Sequence, residues 1–343
     1  VWEWRWETTS LLTWKGSDVK IVRAPLRVSI WGGGTDFPEY YKDYRAHFFS
    51  FAITQHMHVV YNPRPTGGYR VSYSEVEELN DLKDAKHTLI AELGKQYDLP
   101  PCTLTIISDV PKGTGLGSSS ALALCLLKLV GVAADKPPLW QELVLAKSAF
   151  EFERAAGGKV GRQDHLPAAF GEFMEYRIDR RGTLKVLPHP LLGTMMQRYG
   201  MLFYTGITRE ANKILLSWEQ QVERVQQIHE VAKRVSKMVD ELGKMILPQE
   251  AAGFLRESWE IKRQIPGVMT PQLEDQYERI MGAGAMGAKL CGAGSGGCWF
   301  VMAELWNRDK VRGVLSDLIE IPFRVSVEGI REWVLDDGPE LKI

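Results

Sequence analysis

The sequence predicts an α+β protein of two domains. Strand-like runs dominate the first hundred residues, with one helical segment set among them. The later part reads helix, strand, strand, helix, strand. Between the two, "PHPLLG" interrupts the pattern near residues 185–195, in a 343-residue chain that is 45% hydrophobic and therefore long enough for two cores. The expected division is an N-terminal extension over 1–18, a first domain over 19–190 and a second over 191–343.

In chain order, the opening "VWEWRWETTSLLTWKGSD" carries four tryptophans and no functional weight. "VKIVRAPLRVSIWGGGTD" is β-branched and partly alternating, which predicts a strand, broken at Pro25, ending in a glycine-rich turn. "HFFSFAITQHMHVVYNP", "GYRVSYS" and "CTLTIISDVP" are further strands, and "DLKDAKHTLIAELGKQYDL" has apolar residues at helical spacing. A nearly all-apolar helix follows from about Ser118 to Val132, then "PPLWQELVLAKSAFEFERA", whose opening prolines suit a first helical turn. "EFMEYRIDRRGTLKVLPH" predicts a hairpin turning at Arg181-Gly182, and "YGMLFYTG" a strand. Charges spread along Thr208 to Leu247 predict a two-helix scaffold with solvated faces. Helices at "AGFLRESWEIKRQI" and "TPQLEDQYERIMGAG", strands "AKLCGAG" and "GCWFVMA", a helix "NRDKVRGVLSDLI" and a last strand "PFRVSVEGI" complete the reading.

Composition excludes several classes of function. A formal net charge of −1 provides no basic field to hold a nucleic acid backbone. Four cysteines without C-x-x-C spacing read as reduced core thiols, which points to a cytoplasmic protein. No apolar run is long enough to span a membrane, and no signal-peptide pattern opens the chain. His56 and His58 share one strand face, but no third ligand lies near them in sequence, so the pair reads as core or surface rather than zinc.

"PKGTGLGSSSALALCLL" sets Gly113, Gly115 and Gly117 against Ser118, Ser119 and Ser120 at the start of a helix. Such a bend offers free N–H groups and the positive end of the helix dipole to a phosphate. The serine hydroxyls can cap the helix, bond a phosphate oxygen or bind a metal. No G-x-x-x-x-G-K-[ST] string occurs. G-x-G-x-x-G occurs at Gly282 to Gly287 and Gly292 to Gly297, but neither opens a strand-turn-helix unit, so a nicotinamide enzyme is disfavoured. Phosphoryl transfer also asks for carboxylates, and "FEFERAAGGKVGRQDHLPAAFGE" supplies Glu153 and Asp164. By themselves these two better suit a helix end followed by a polar loop with solvated carboxylates.

Together "GGGTD" at 32–36, "GTGLGSSSA" at 113–121 and "GAGSGG" at 292–297 resemble the three motifs of the galactokinase, homoserine kinase, mevalonate kinase and phosphomevalonate kinase (GHMP) superfamily. Pro111 to Ala121 fill every fixed position of the central motif, P-x-x-x-G-L-G-S-S-S-A. The resemblance implies the two-domain GHMP kinase fold, a ribosomal protein S5 domain 2-like first domain and a ferredoxin-like second one, with ATP and Mg²⁺ as cofactors. It implies that Pro111, Gly113, Gly115, Leu116, Gly117, Ser118, Ser119 and Ser120 bind ATP. Glu153 matches the magnesium-binding glutamate, with Ser119 as hydroxyl ligand and Glu151 as fallback. Asp164 matches the aspartate that serves as base or orienting group, and Arg27 an arginine that stabilises the alkoxide or orients Asp164. Gly33, Gly34, Thr35 and Asp36 are the implied sugar contacts, although an Asx turn also explains Asp36. The third motif, Gly292 to Gly297, buttresses the phosphate loop and the substrate pocket, with Gly294 and Gly296 as implied substrate contacts, or simply packs.

Within the superfamily, "APLRVSIWGGGTDFPEYY", "GRQDHLPAAFGEFMEY", "LFYTGITREA" and "GAGAMGAKLCGAGSGG" are similar to the D-glycero-D-manno-heptose 7-phosphate 1-kinases, over Arg23 to Trp333. The kinase domain of fucokinase is the rival. The implied activity is an ATP-dependent sugar 1-kinase yielding a heptose 1,7-bisphosphate; a fucokinase-like enzyme, a non-catalytic sensor and a diphosphate decarboxylase are the alternatives. The implied partner is a small sugar phosphate, with no nucleic acid and no membrane, and a homodimer is left open. Trp31, Arg162, His165 and "GSGGC" depart from the pattern, and Trp31 and His165 fall where sugar contacts are expected.

Overall fold

A computed structural model describes residues 18–207, 222–241 and 246–335. In order these form β1 (Val19–Trp31), α1 (Pro38–Tyr44), β2 (Ala46–Pro63), β3 (Tyr69–Ser72), β4 (Val76–Leu79), α2 (Thr88–Gln96), β5 (Cys102–Ser108), α3 (Ser118–Leu129), α4 (Pro138–Ala155), α5 (His165–Phe170), β6 (Phe173–Ile178) and β7 (Leu184–Pro188). There follow α6 (Pro190–Tyr199), β8 (Gly200–Tyr204), α7 (Val222–Glu241), α8 (Pro248–Lys262), α9 (Pro271–Gly282), β9 (Gly287–Leu290), β10 (Cys298–Met302), α10 (Arg308–Val314), β11 (Ile319–Glu320) and β12 (Arg331–Leu335).

The strands make two sheets. An eight-stranded sheet runs β12-β1-β2-β5-β3-β4, with β6 also paired to β2 and β7 to β6; a four-stranded sheet runs β11-β8-β10-β9. β1 is buried on both faces from Ala24 to Trp31. The helices α3 and α5 pack on it, and α8 and α7 also reach it, so it lies where the two halves meet. Pro25 does not end the strand. The register against β2 shifts between Pro25 and Leu26, the irregularity at which a residue without an N–H is tolerated. α3 is buried almost all round, as its unbroken apolar sequence demands. The hairpin of β6 and β7 closes at Arg181-Gly182, with Gly182 in the left-handed region.

Two expectations change. "PFRVSVEGI" is not a strand: it touches the sheet through one bridge, Val325 to Ile53, and backbone bonds at Thr54 and Ala52, beside the register shift in β2 that breaks regular pairing. The strand comes later, as β12, and pairs antiparallel with β1, so the chain returns across the boundary expected at 190. Residues 222–241 are helical as read, whereas 208–221 and 242–245 of the proposed two-helix scaffold, and the extension to residue 17, lie outside the described residues. No helix among the described residues is long and apolar enough to cross a membrane.

Candidate active site

A cleft of about 480 Å³ opens between the two sheets' halves, with the glycine-rich loop and β1 on one wall and α7, α8 and the residues after β9 on the other. Gly113, Gly115 and Gly117 all have positive φ, and Gly117 directly precedes α3. A Cβ on Gly117 would sit 3.2 Å from Arg27 Cγ, so the loop's path and its closeness to β1 both need glycine there. No side chain caps α3 at that position, and Ser118, Ser119 and Ser120 face the cleft. The loop therefore presents a helix start to whatever anion enters. Pro111 and Leu116 do not line the cleft; Leu116 is buried, and its carbonyl accepts the Arg27 N–H at 2.9 Å.

Arg27, 2% exposed on β1, joins the loop to the carboxylate expected to act on substrate. Its Nε and Nη2 donate to Asp164 Oδ1 at 2.9 and 2.5 Å, and its Nη1 donates to the Gly115 carbonyl at 2.5 Å. Asp164 stands just before α5 and lines the cleft. Both bonds fall on one oxygen, Oδ1. These contacts are the ones the orienting reading of Arg27 calls for.

Glu153, on α4 and 3% exposed, also reaches the cleft. Burial raises its pKa, but the His165 contact and hydrogen bonds from Ser119 and Ser120 outweigh burial and hold it below the usual value, so it is an anion. Ser120 Oγ donates to Oε2 at 2.7 Å, and His165 Nε2 lies 2.8 Å from the same oxygen, with the ring out of line for a hydrogen bond. A buried carboxylate beside a serine hydroxyl at the end of a phosphate loop is the hard oxygen donor set that Mg²⁺ takes, so Ser119 and Glu153 fit that ion. Glu151 is exposed and outside the cleft, beside Lys147.

The sugar-contact expectations separate. Gly33 and Gly34 line the cleft, but Thr35 and Asp36 are fully buried behind it. Thr35 Oγ1 donates to the Gly32 carbonyl at 2.8 Å. Asp36 accepts the Gly34 and Gln163 N–H groups, both at 3.0 Å, and a Cβ on Gly161 would meet its Oδ2 at 1.8 Å. Its carboxylate holds the turn and the 161–163 segment in place, while burial, partly offset by the Gln163 N–H, lifts its pKa to about 6. Gly294 and Gly296 are likewise off the cleft wall, packed on Val268 and Ile207; Gly292 and Ala293 line it, and Gly297 is the residue against the phosphate loop.

Three of the departures from the family pattern point away from the cleft. Trp31 is fully buried, edge-on to Phe49 and Phe173. Arg162 donates to the Gly182 carbonyl and lies over Tyr41 and Phe150. His165 is behind Glu153, its ring edge-on to Phe150. Sequence reasoning also passed over Gln163, which lines the cleft and accepts from Ser29 Oγ at 2.7 Å, and over Lys262 and Lys289, whose ammonium groups donate to backbone carbonyls there. A lysine inside "GAKLCGAG", an otherwise apolar strand, was the signal available for Lys289.

The family model for the GHMP kinases N terminal domain matches residues 80–172, and that for the GHMP kinases C terminal domain matches 232–321. The chain belongs to the GHMP kinases. These are phosphotransferases that act on hydroxyl groups with ATP as donor, and this chain is one of them. It is 28% identical over 347 residues to the D-glycero-alpha-D-manno-heptose 7-phosphate kinase of Campylobacter jejuni subsp. jejuni serotype O:2, covering 91% of this chain and 98% of that one. It is also 28% identical over 291 residues to the mevalonate kinase of Pyrococcus horikoshii, covering 78% and 82%. Among solved structures, a D-glycero-D-manno-heptose 1-phosphate kinase from Bacteriodes thetaiotaomicron superposes with a TM-score of 0.73 at 22% identity over 93% of this chain and all of that one. This GHMP kinase thus has the two-domain fold that its three glycine motifs implied.

Proposed function

We propose that this GHMP kinase is an ATP- and Mg²⁺-dependent sugar 1-kinase that phosphorylates the anomeric hydroxyl of D-glycero-D-manno-heptose 7-phosphate to give the 1,7-bisphosphate. The observation that carries the reading is the double use of Arg27, which fixes Asp164 and the phosphate loop to each other through one guanidinium. Substrate class is supported by the near full-length similarity to the Campylobacter jejuni kinase. Residues 19–190 are proposed as the ATP-binding domain and 191–343 as the second.

In this mechanism the ATP phosphates rest on the N–H groups from Gly113 to Ser119. Asp164 Oδ2 accepts the proton of the anomeric hydroxyl while that oxygen bonds to the γ-phosphorus and the bond from phosphorus to the ADP oxygen breaks. Arg27 keeps Oδ1 engaged, so the proton and the attacking oxygen share one line of approach. Ser119 and Glu153 would hold Mg²⁺, which supplies charge neutralisation at the phosphates. Gly33 and Gly34 give the sugar a close backbone approach.

The test is ADP release with Mg-ATP and a panel of D-glycero-D-manno-heptose 7-phosphate, sedoheptulose 7-phosphate, L-fucose, galactose and mevalonate. Turnover on the heptose phosphate with the product phosphorylated at carbon 1 is expected, and Asp164→Asn is expected to lower kcat by roughly three orders of magnitude or more. Turnover confined to an unphosphorylated sugar would keep the kinase and overturn its substrate.

A further inference from the structure

The strand β2 carries His56 and His58 two residues apart, so their rings stand on the same face of the sheet. Sequence offered no third ligand, but the fold does. Asp109, just beyond the end of β5, lies across from both, because β2 and β5 pair antiparallel with Met57 opposite Ser108. His58 Nε2 is 3.3 Å from Asp109 Oδ1, and His56 Nδ1 is 3.6 Å from Asp109 Oδ2. One ligand atom from each of the three residues lies within 4.8 Å of the other two, the one such group found among the described residues.

We propose that His56, His58 and Asp109 bind one first-row transition-metal ion of the zinc class, at a site separate from the catalytic cleft. Bonds of about 2 Å at tetrahedral angles hold ligand atoms about 3.3 Å apart, close to the 3.3 and 3.6 Å at which the two imidazoles stand from Asp109, each on its own carboxylate oxygen. Two imidazoles and one carboxylate suit zinc, cobalt or nickel, whereas Mg²⁺ prefers an all-oxygen set. The carboxylate is already oriented: the His56 N–H donates to Asp109 Oδ2 at 2.8 Å, and the Asp109 N–H donates to the His56 carbonyl at 3.1 Å. Outer bonds of this kind are what set a ligand's direction in metal sites.

The positive charge beside the pair is already partnered. Arg23 is the charged group that faces the pair from β1, where it stands opposite His58. Its guanidinium is engaged by Glu328 at 3.5 Å and lies over the Trp333 ring. Asp109 keeps 39% of its side chain exposed, which gives an ion a way in and water a fourth position. Asp109 also stands two residues before Pro111, so an ion there ties the root of the phosphate loop to β2.

Zinc binding to the full chain tests this, with Mg²⁺ in large excess to occupy Ser119 and Glu153. One Zn²⁺ per chain with a micromolar or tighter Kd and a raised Tm are expected by calorimetry, with Kd weakened at least tenfold in both His58→Ala and Asp109→Asn. Both positions are partly exposed, and circular dichroism separates loss of binding from loss of fold. Failure of the wild-type chain to take up zinc, or uptake that both folded variants retain unchanged, would overturn the site.

Discussion

Arg27 shows how much of the site one residue can settle. In sequence it is an arginine in a strand, readable equally as an exposed charge. In the fold it is buried, and its donors divide between Asp164 and the Gly115 carbonyl. Asp36 shows the opposite case. Its place in "GGGTD" suggested two hydroxyl-binding oxygens, yet both accept backbone N–H groups behind the cleft. A motif gives the position of a side chain along the chain but not the side of a buried turn on which it falls. Burial has a measurable consequence. Asp36 is lifted from 3.8 to about 6, so between those values the folded chain keeps a proton that the unfolded chain has released. Its contribution to stability is full below the unfolded pKa and is lost as pH rises through the folded one, by up to about 3 kcal/mol. Asp36→Asn is expected to flatten that decline in urea unfolding measured between pH values of about 4 and 6.5; a slope unchanged by the substitution would assign it to another group.

At the scale of elements, helix and strand types followed from periodicity because most segments bury one clear face or both. The segment 322–330 did not, since alternation alone cannot show that the neighbouring strand loses its register where the pairing should form. The third glycine stretch was legible as a partner of the glycine-rich loop, and within it Gly297 makes the contact while Gly294 and Gly296 pack on Val268 and Ile207. Gly297 has φ of 102°, and a Cβ there would lie 2.6 Å from the Thr114 carbonyl oxygen, inside the glycine-rich loop proposed to seat the ATP phosphates. Alanine must therefore push that loop aside and adopt a backbone conformation foreign to it, together on the order of 1–3 kcal/mol. Gly297→Ala is expected to raise the KM for ATP about tenfold, a 1.4 kcal/mol effect if the cost falls on binding. Gly253→Ala, in α8 with nothing near its added Cβ, serves as the control. Equal KM values for the two variants would detach the third stretch from nucleotide binding.

Over the whole molecule, the sequence predicted two domains and the structure adds how firmly they are joined. One hydrophobic cluster includes Phe48, Phe49 and Phe51 of the eight-stranded sheet together with Leu202, Phe300 and Met302 of the four-stranded one. Phe51 meets Phe300 edge-on at 5.7 Å. β12 closes the connection by returning to β1. None of this could be read from a linear boundary, because the contacts join residues some 250 positions apart. At the floor of the cleft the bridge is polar: Lys289 of β9 donates to the Ser29 and Ile30 carbonyls of β1 at 3.0 and 2.7 Å. Full burial, reinforced by Arg27, depresses its pKa from 10.5 to about 8. Between those values the unfolded chain holds a proton that the folded chain has released, so stability rises with pH across the window. The gain approaches about 3 kcal/mol if the whole shift is realised. Buried thiols such as Cys102 and Cys125, whose ordinary value is 9.0, and buried tyrosines such as Tyr61, at 10.0, are raised and act in the opposite direction above those values, so the effect of Lys289 is read as the difference between wild type and a variant lacking the charge. Lys289→Met retains the length of the side chain and removes the charge. Urea unfolding at pH values of about 8 and 9.5 is expected to show the wild type gaining stability relative to the variant between them. A variant whose stability changes with pH just as the wild type's does would mean that Lys289 remains charged in the cleft floor, leaving the joint between the halves to its aromatic contacts.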